Sequence, residues 1–405
     1  MKINKSVLFL LAITLLLTGI VILIWNERAT PFLKNKLTLA FKEIFHSSGI
    51  HNHIIFYGRD HYTIEGTAFD ASVKEDDFDR LPYDYKNLVR PVLWKWSKCS
   101  SGMTVNFSTN STSVKVRWIL ITNRHFQHMS PTGINGVDLY CKQNGEWKYI
   151  NTGKPQALFN EQMLTENMAS QWREYKLYLP LYNGVSRLEL GIDSGAAIIK
   201  AEKELSKPIV FYGTSMTQGA CVSRPGMNYV NLLSRRLKIP CLNFGFDRNG
   251  LMEPEIVKMI SAIDAQLYYI DCTINMDSEQ IVDRMLPLVS ILRQTRPFVP
   301  IVFAEAVIST TADYNSSVGA FEVGLNQALH AGYEDLCSKG YKYIYYISSP
   351  ELDSTSHETT VDGTHFNDHG AALMAQYLEK EIRTILEMQR HDNGNFISGM
   401  VKYLQ

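Results

Sequence analysis

From Lys207 onward the chain alternates short, almost wholly apolar runs with amphipathic segments, and that alternation leaves few folds open. The apolar runs are residues 208–212, 240–244, 266–271, 299–304 and 341–347. Helical spacing fills 228–237, 254–263, 278–295 and 319–338, and a last helix runs from about 369 to 388. Strands that are apolar at every position are buried on both faces, which calls for parallel pairing with helices above and below. The spacing predicts a flavodoxin-like three-layer α/β domain with a parallel five-stranded sheet over 201–390, followed by a tail at 391–405. Right-handed crossovers bring every carboxyl strand end to one edge, where open α/β sheets bind ligands.

Upstream the texture changes. Short runs at 103–107, 113–121, 136–140, 147–150, 175–179 and 186–192 are separated by turn residues such as Asn110-Ser111, Asn144-Gly145 and Asn183-Gly184. Val114, Val116 and Trp118 alternate with Lys115 and Arg117, the period of a strand buried on one face. These features predict an antiparallel β-sandwich over 54–200. Residues 6–25 form an uncharged, largely apolar stretch, and about 20 such residues span a bilayer core. It closes without an Ala-x-Ala site, so an uncleaved signal anchor over 1–29 is expected, a transmembrane segment that holds an exported body. Cleavage would instead give a secreted protein. A linker and short helix fill 30–53.

The 40 basic and 41 acidic residues leave no excess charge to bind nucleic acid. Six scattered cysteines without CxxC spacing argue against a zinc motif and against a dense disulfide framework. His125 and His128 lie three apart, and His46, His51 and His53 cluster earlier, but spacing offers them no carboxylate or thiol partner. They are expected to pack or to line a cleft, and neither metal nor cofactor is called for.

Acyl transfer to water needs a nucleophile, a base, a group orienting that base, and donors for the oxyanion. Ser215 stands where the first strand turns into a helix, although alone it reads equally as a turn serine or helix cap. Asp362 and His365 stand three apart just before the last helix, near enough for a carboxylate to accept from an imidazole. Alone, they read as polar residues at a helix entry, with Asn367 or Asp368 as its cap. Together with Ser215 they make a hydrolytic constellation. The α/β-hydrolase pattern is excluded, because it needs G-x-S-x-G and sets the acid well ahead of the histidine.

Gly213-Thr214-Ser215, Asn275 in Asp271-Cys-Thr-Ile-Asn275, and Asp362-Gly-Thr-His365 resemble the blocks of the SGNH (GDSL-type) hydrolase superfamily. Ser223-Arg-Pro-Gly226, Gly136-Val-Asp-Leu-Tyr140, Arg80-Leu-Pro82 and Tyr178-Leu-Pro-Leu-Tyr182 resemble its bacterial branch with an N-terminal sandwich carrying a GxDLY motif. The resemblance implies Ser215 as nucleophile, His365 as base and Asp362 as its orienter. Oxyanion donors would be the Ser215 N–H and the Asn275 side chain. At the block-two glycine this sequence has Arg248, so either its own N–H donates or the loop shifts and Asn249 or Gly250 does. Arg224 is assigned to substrate binding, with pairing to an acid as the alternative, and Glu305 to a buried ion pair. The resemblance further implies a serine esterase removing acetyl groups from an acylated carbohydrate. An impaired glycan-binding scaffold and an acyltransferase to sugars are the alternatives.

Overall fold

The computed structural model describes residues 54–352 and 356–403, with side chains to residue 389; the expected anchor, linker and first short helix lie outside them. Among the described residues, no helix is long and apolar enough to cross a membrane. Ten strands come first: β1 (Ile54–Tyr57), β2 (Thr63–Glu65), β3 (Thr104–Thr109), β4 (Val114–Leu120), β5 (Val137–Gln143), β6 (Glu146–Gly153), β7 (Phe159–Thr165), β8 (Arg173–Tyr178), β9 (Val185–Asp193) and β10 (Ile198–Lys200). Helix α1 (Pro91–Ser97) precedes β3, and α2 (Pro131–Asn135) precedes β5. One antiparallel sheet has the order β1-β9-β4-β7; the other has β10-β3-β8-β5-β6, with β2 also on β3. Val114, Val116 and Trp118 turn inward onto Val105, Phe107, Leu139 and Leu177 of the facing sheet.

Four of these strands, β1, β2, β7 and β10, are not among the runs expected from sequence, although β1 reads Ile-Ile-Phe-Tyr. β1 and β7 are sheet edges, each paired on one side only, and β2 and β10 have three residues each. An edge strand needs no continuous apolar face, and β7 reads Phe-Asn-Glu-Gln-Met-Leu-Thr.

The second part holds β11 (Ile209–Gly213), α3 (Ser215–Gln218), α4 (Tyr229–Leu237), β12 (Cys241–Gly245), α5 (Pro254–Ser261), β13 (Leu267–Asp271), α6 (Ser278–Thr295), β14 (Ile301–Ala304), α7 (Ser316–Ser338), β15 (Ile344–Ile347) and α8 (Asp368–Tyr403). The five strands are parallel in the order β12-β11-β13-β14-β15, the expected doubly wound arrangement. Alternate residues face opposite layers. Val210, Tyr212, Tyr268 and Ile270 pack with Ile256, Ile260, Met285 and Leu329 of α5 to α7. Ile209, Phe211, Leu267 and Tyr269 pack with Val230, Leu233, Leu378 and Ile382 of α4 and α8.

α6 begins at Ser278 because Asp277 accepts from the Gln280 N–H while the Gln280 side chain accepts from Asp277 in return, a capping box. α8 continues to Tyr403, past the stop read at 388. All six cysteines are free and all but Cys337 are buried.

Candidate active site

The turn that carries Ser215 is built by residues that leave little choice. A Cβ at Gly213 would stand 2.3 Å from Thr217 Oγ1 and 2.7 Å from the Asp271 carbonyl, so β11 must end in glycine. The helix cap is Thr214, whose hydroxyl accepts from the Met216 N–H at 3.3 Å. Ser215 is thereby freed from the capping role that sequence left open to it. Its Oγ lies 2.9 Å from His365 Nε2, in a site where the serine is 7% exposed.

On the other side of the ring, His365 Nδ1 lies 2.8 Å from Asp362 Oδ2. Asp362 Oδ1 accepts from the N–H groups of His365 (2.8 Å) and Thr364 (3.2 Å), so one carboxylate both folds the loop and faces the imidazole. Gly363 takes the left-handed conformation that this turn requires (φ 88°). Burial pushes the Asp362 carboxyl up, but hydrogen bonds from the His365 backbone and ring, with the charge of the pair, outweigh it and hold the group below the usual range. A carboxylate so held favours the imidazole tautomer that donates from Nδ1, which turns Nε2 toward Ser215 as an acceptor. The loop then enters α8 through Asn367, which caps the N–H groups of His369 and Gly370.

The loop after β12 forms the adjoining wall. A Cβ on Gly250 would stand 2.0 Å from the Gly213 carbonyl, so this loop lies directly on the turn that carries Ser215. Arg248 adopts φ 55°, the left-handed region that favours glycine, at a cost of about 1–2 kcal/mol. The conformation open to a glycine is therefore kept despite the side chain. Among the described residues the Arg248 N–H has no acceptor, and the exposed guanidinium has neither hydrogen bond nor ion pair. The alternative donors are engaged: the Asn249 and Gly250 N–H groups both bond the Phe246 carbonyl (2.8 and 3.2 Å). The Asn275 carboxamide satisfies its neighbours with its oxygen accepting from those same N–H groups, each at 3.2 Å. The Asn275 NH2 then takes the side of the carboxamide away from those two N–H groups.

Arg224 does not stand free for substrate. Its Nη1 is 2.8 Å from Asp138 Oδ2 and 2.8 Å from the Tyr140 hydroxyl, both within the GxDLY motif on β5. Asp138 is fully buried and also accepts from the Gly226 N–H (2.8 Å) and Thr152 Oγ1 (2.6 Å). Burial pulls the Arg224 guanidinium down, yet the Asp138 charge and Tyr140 outweigh it and hold it above its ordinary value. The assignment to substrate is corrected to the alternative, an acid partner, which sequence could not name. Arg80, almost wholly buried, likewise donates to the carbonyls of Asn243 (3.1 Å) and Gly245 (2.7 Å) at the end of β12. Ser101 Oγ donates to the Gln218 carbonyl (2.6 Å), and Gln218 Nε2 to the Leu181 carbonyl (3.1 Å). The sandwich therefore braces the turn that carries Ser215. Glu305 makes hydrogen bonds rather than an ion pair, accepting from the Tyr346 hydroxyl and from the Ser349 N–H at 2.6 Å.

His128, expected to pack or to line a cleft, has its ring centroid 6.0 Å from that of His365. Cys221 lies close by, and burial, with the charges of Asp362 and Asp247, pushes its thiol up to about 12. At neutral pH it is no rival to Ser215, since the thiolate is the nucleophilic form.

Asp271, beneath the turn, escaped sequence reading because it ends an apolar strand. It accepts from Thr217 Oγ1 (2.7 Å) and the Tyr229 hydroxyl (3.2 Å), and burial outweighs both bonds, pushing its carboxyl up to about 6. A carboxyl unfolds to an ordinary pKa near 4. Below that pH it is protonated in both states and its contribution is complete. As pH rises through 6 the folded protein is forced to ionise it, and about 2–3 kcal/mol of stability is lost. Asp271→Asn is expected to flatten this slope and to raise the urea midpoint at pH 8. A midpoint that still falls as steeply as in the wild type between pH 4 and 8 would place the titrating group elsewhere.

Residues 206–383 match the GDSL-like lipase/acylhydrolase family, and residues 55–198 match the GxDLY N-terminus of SGNH-hydrolase-type esterases. No curated protein matches the chain. Among solved structures, a protein described as a GDSL-like lipase from Bacteroides ovatus ATCC 8483 is 34% identical, with a TM-score of 0.79 over 82% of this chain and 98% of its own. A salicylyl-acyltransferase from a tetracycline biosynthetic pathway shares the fold at 17% identity and a TM-score of 0.67, over 83% of this chain and 99% of its own. So does a family two carbohydrate esterase from Cellvibrio japonicus, at 14% identity and a TM-score of 0.55, over 82% and 98%. With both parts matched in order and a 34% identical relative covered almost end to end, the chain belongs to the GDSL-like lipase/acylhydrolase (SGNH hydrolase) family, in the branch that carries a GxDLY N-terminal domain.

Proposed function

We propose that the protein is a serine esterase that removes small acyl groups, acetyl above all, from carbohydrate. The observation that carries this reading is the unbroken contact from Ser215 Oγ to His365 Nε2 (2.9 Å) and from His365 Nδ1 to Asp362 (2.8 Å). In the proposed reaction Ser215 Oγ attacks the ester carbonyl carbon while His365 Nε2 takes the hydroxyl proton. The negative oxygen is met by the N–H groups of Ser215 and Arg248 and by the Asn275 NH2. Removing one such donor typically costs roughly 10²–10³ in turnover. The intermediate collapses by breaking the ester C–O bond, and His365 returns the proton to the departing alkoxide. Water, deprotonated by the same imidazole, then attacks the acyl carbon; the bond to Ser215 Oγ breaks, the acid leaves and His365 returns the proton to Oγ.

The left-handed backbone at Arg248 favours an active enzyme over an inert scaffold, because it keeps the conformation that a glycine would supply there. Fold likeness to family two carbohydrate esterases supports a sugar as the alcohol. Likeness to an acyltransferase favours a second reading, in which a sugar hydroxyl replaces water in the last step. Product analysis with a sugar acceptor separates the two. The apolar stretch 6–25 supports an exported body held at a membrane.

The reading is tested by a serine-directed fluorophosphonate. Wild-type protein is expected to take one adduct, on the peptide containing Ser215, and His365→Ala to take it far more slowly. Protein left unlabelled while a control serine hydrolase reacts would overturn the mechanism.

A further inference from the structure

His128 arrives from the sandwich, Cys221 from the segment after α3, and Asp362 and His365 from the loop ahead of α8. One ligating atom from each of the four lies within 4.8 Å of the others. Ligands held 2.0–2.3 Å from a tetrahedral zinc stand roughly 3.3–3.6 Å apart, so small side-chain movements close the set. Two further observations point to the same spot. Neither the Cys221 thiol nor the His128 ring has a hydrogen-bond partner among the described residues, although Cys221 is buried. Cys221 also holds a left-handed backbone (φ 66°), a conformation that a side-chain-bearing residue keeps only where its surroundings impose it.

We propose that His128, Cys221, Asp362 and His365 form a binding site for a thiophilic divalent cation of the zinc type, and that the bound ion shuts the enzyme off. Two imidazoles, a thiol and a carboxylate are a donor set that selects zinc over magnesium or calcium. A coordinating thiol gives up its proton, here to solvent, and the exposed His128 side is the way in for the ion. The shut-off follows from His365 having no spare nitrogen. Nε2 faces Ser215 and Nδ1 faces Asp362, so offering either to a metal breaks a contact the reaction needs. Binding of the ion stands independently of the esterase reading, whereas the shut-off rests on it.

Cobalt(II) serves as the spectroscopic probe. The wild-type protein is expected to give a thiolate-to-cobalt charge-transfer band at one equivalent, displaced by zinc and lost in Cys221→Ser. In parallel, zinc is expected to inhibit p-nitrophenyl acetate hydrolysis, and a chelator to restore it. Loss of an outer-shell partner alone weakens metal sites 10–100-fold, so His128→Ala and Cys221→Ser should each need at least about tenfold more zinc for half-inhibition, relative to their own metal-free rates. Absence of the band would overturn the site, whatever the hydrolysis assay gives. A band accompanied by undiminished hydrolysis in saturating zinc would overturn the shut-off. A metal-free enzyme that hydrolyses nothing would count against the esterase reading, while the cobalt band still decides the site.

Discussion

Ser215→Ala is expected to lower p-nitrophenyl acetate hydrolysis by about 10⁴–10⁶-fold, the range seen when a triad member is removed from a serine hydrolase. The fold should be unaffected, because among the described residues the deleted oxygen bonds only to His365 and the serine lies at the end of a turn already held by Gly213, Thr214 and Gly219. His365→Ala should lose a comparable factor, and the double variant little more, since the two groups act as one. Thermal denaturation run beside the kinetics separates lost chemistry from lost structure. A folded Ser215→Ala protein turning over near the wild-type rate would assign the reaction to another side chain.

The second large effect concerns stability. Arg224→Met is expected to cost about 3–5 kcal/mol, because it strands a fully buried Asp138 carboxylate without its cation. Adding Asp138→Asn should recover part of that loss, as no uncompensated charge remains, and the double-mutant cycle measures the coupling directly. Urea midpoints at pH 7 are the readout. A loss below 1 kcal/mol in Arg224→Met would mean that water replaces the guanidinium and that the GxDLY carboxylate is not sealed. The same variant should lose activity well before it unfolds, because Arg224 stands in the segment that leads from the Ser215 helix across to β5.

The parallel sheet was open to sequence reading because its strands are buried on both faces and have nothing else to be. All five appear within three residues of the expected bounds, and α6 spans the expected 278–295. That Ser215, Asp362 and His365 come together was equally legible, since a hydroxyl at a strand-to-helix turn and Asp-x-x-His before a helix carry meaning without coordinates. What stayed hidden was pairing across the chain. Nothing in the spacing of Arg224 names Asp138, 86 residues away, and nothing in His128 announces Cys221. The edge strand β7 was lost because one unpaired side relaxes the pattern that betrays an interior strand, whereas β1, Ile54-Ile-Phe-Tyr57, is apolar throughout but too short for its period to decide. The extension of α8 through His391-Asp-Asn-Gly-Asn395 runs against the poor helix propensity of those residues. Asp271 was overlooked because a carboxyl terminating an apolar run reads as its boundary rather than as part of a buried network.

The placement of His128 has a wider consequence. The groups proposed to break the bond all stand past the strand ends of the parallel sheet, whereas this histidine stands on a surface segment of the sandwich. One jamb of the doorway thus belongs to a different building block from the machinery behind it. On the esterase reading proposed above, descendants of such a chain could reshape which alcohol is admitted by rewriting a few residues of an outer loop, while the interior constellation passes on unaltered.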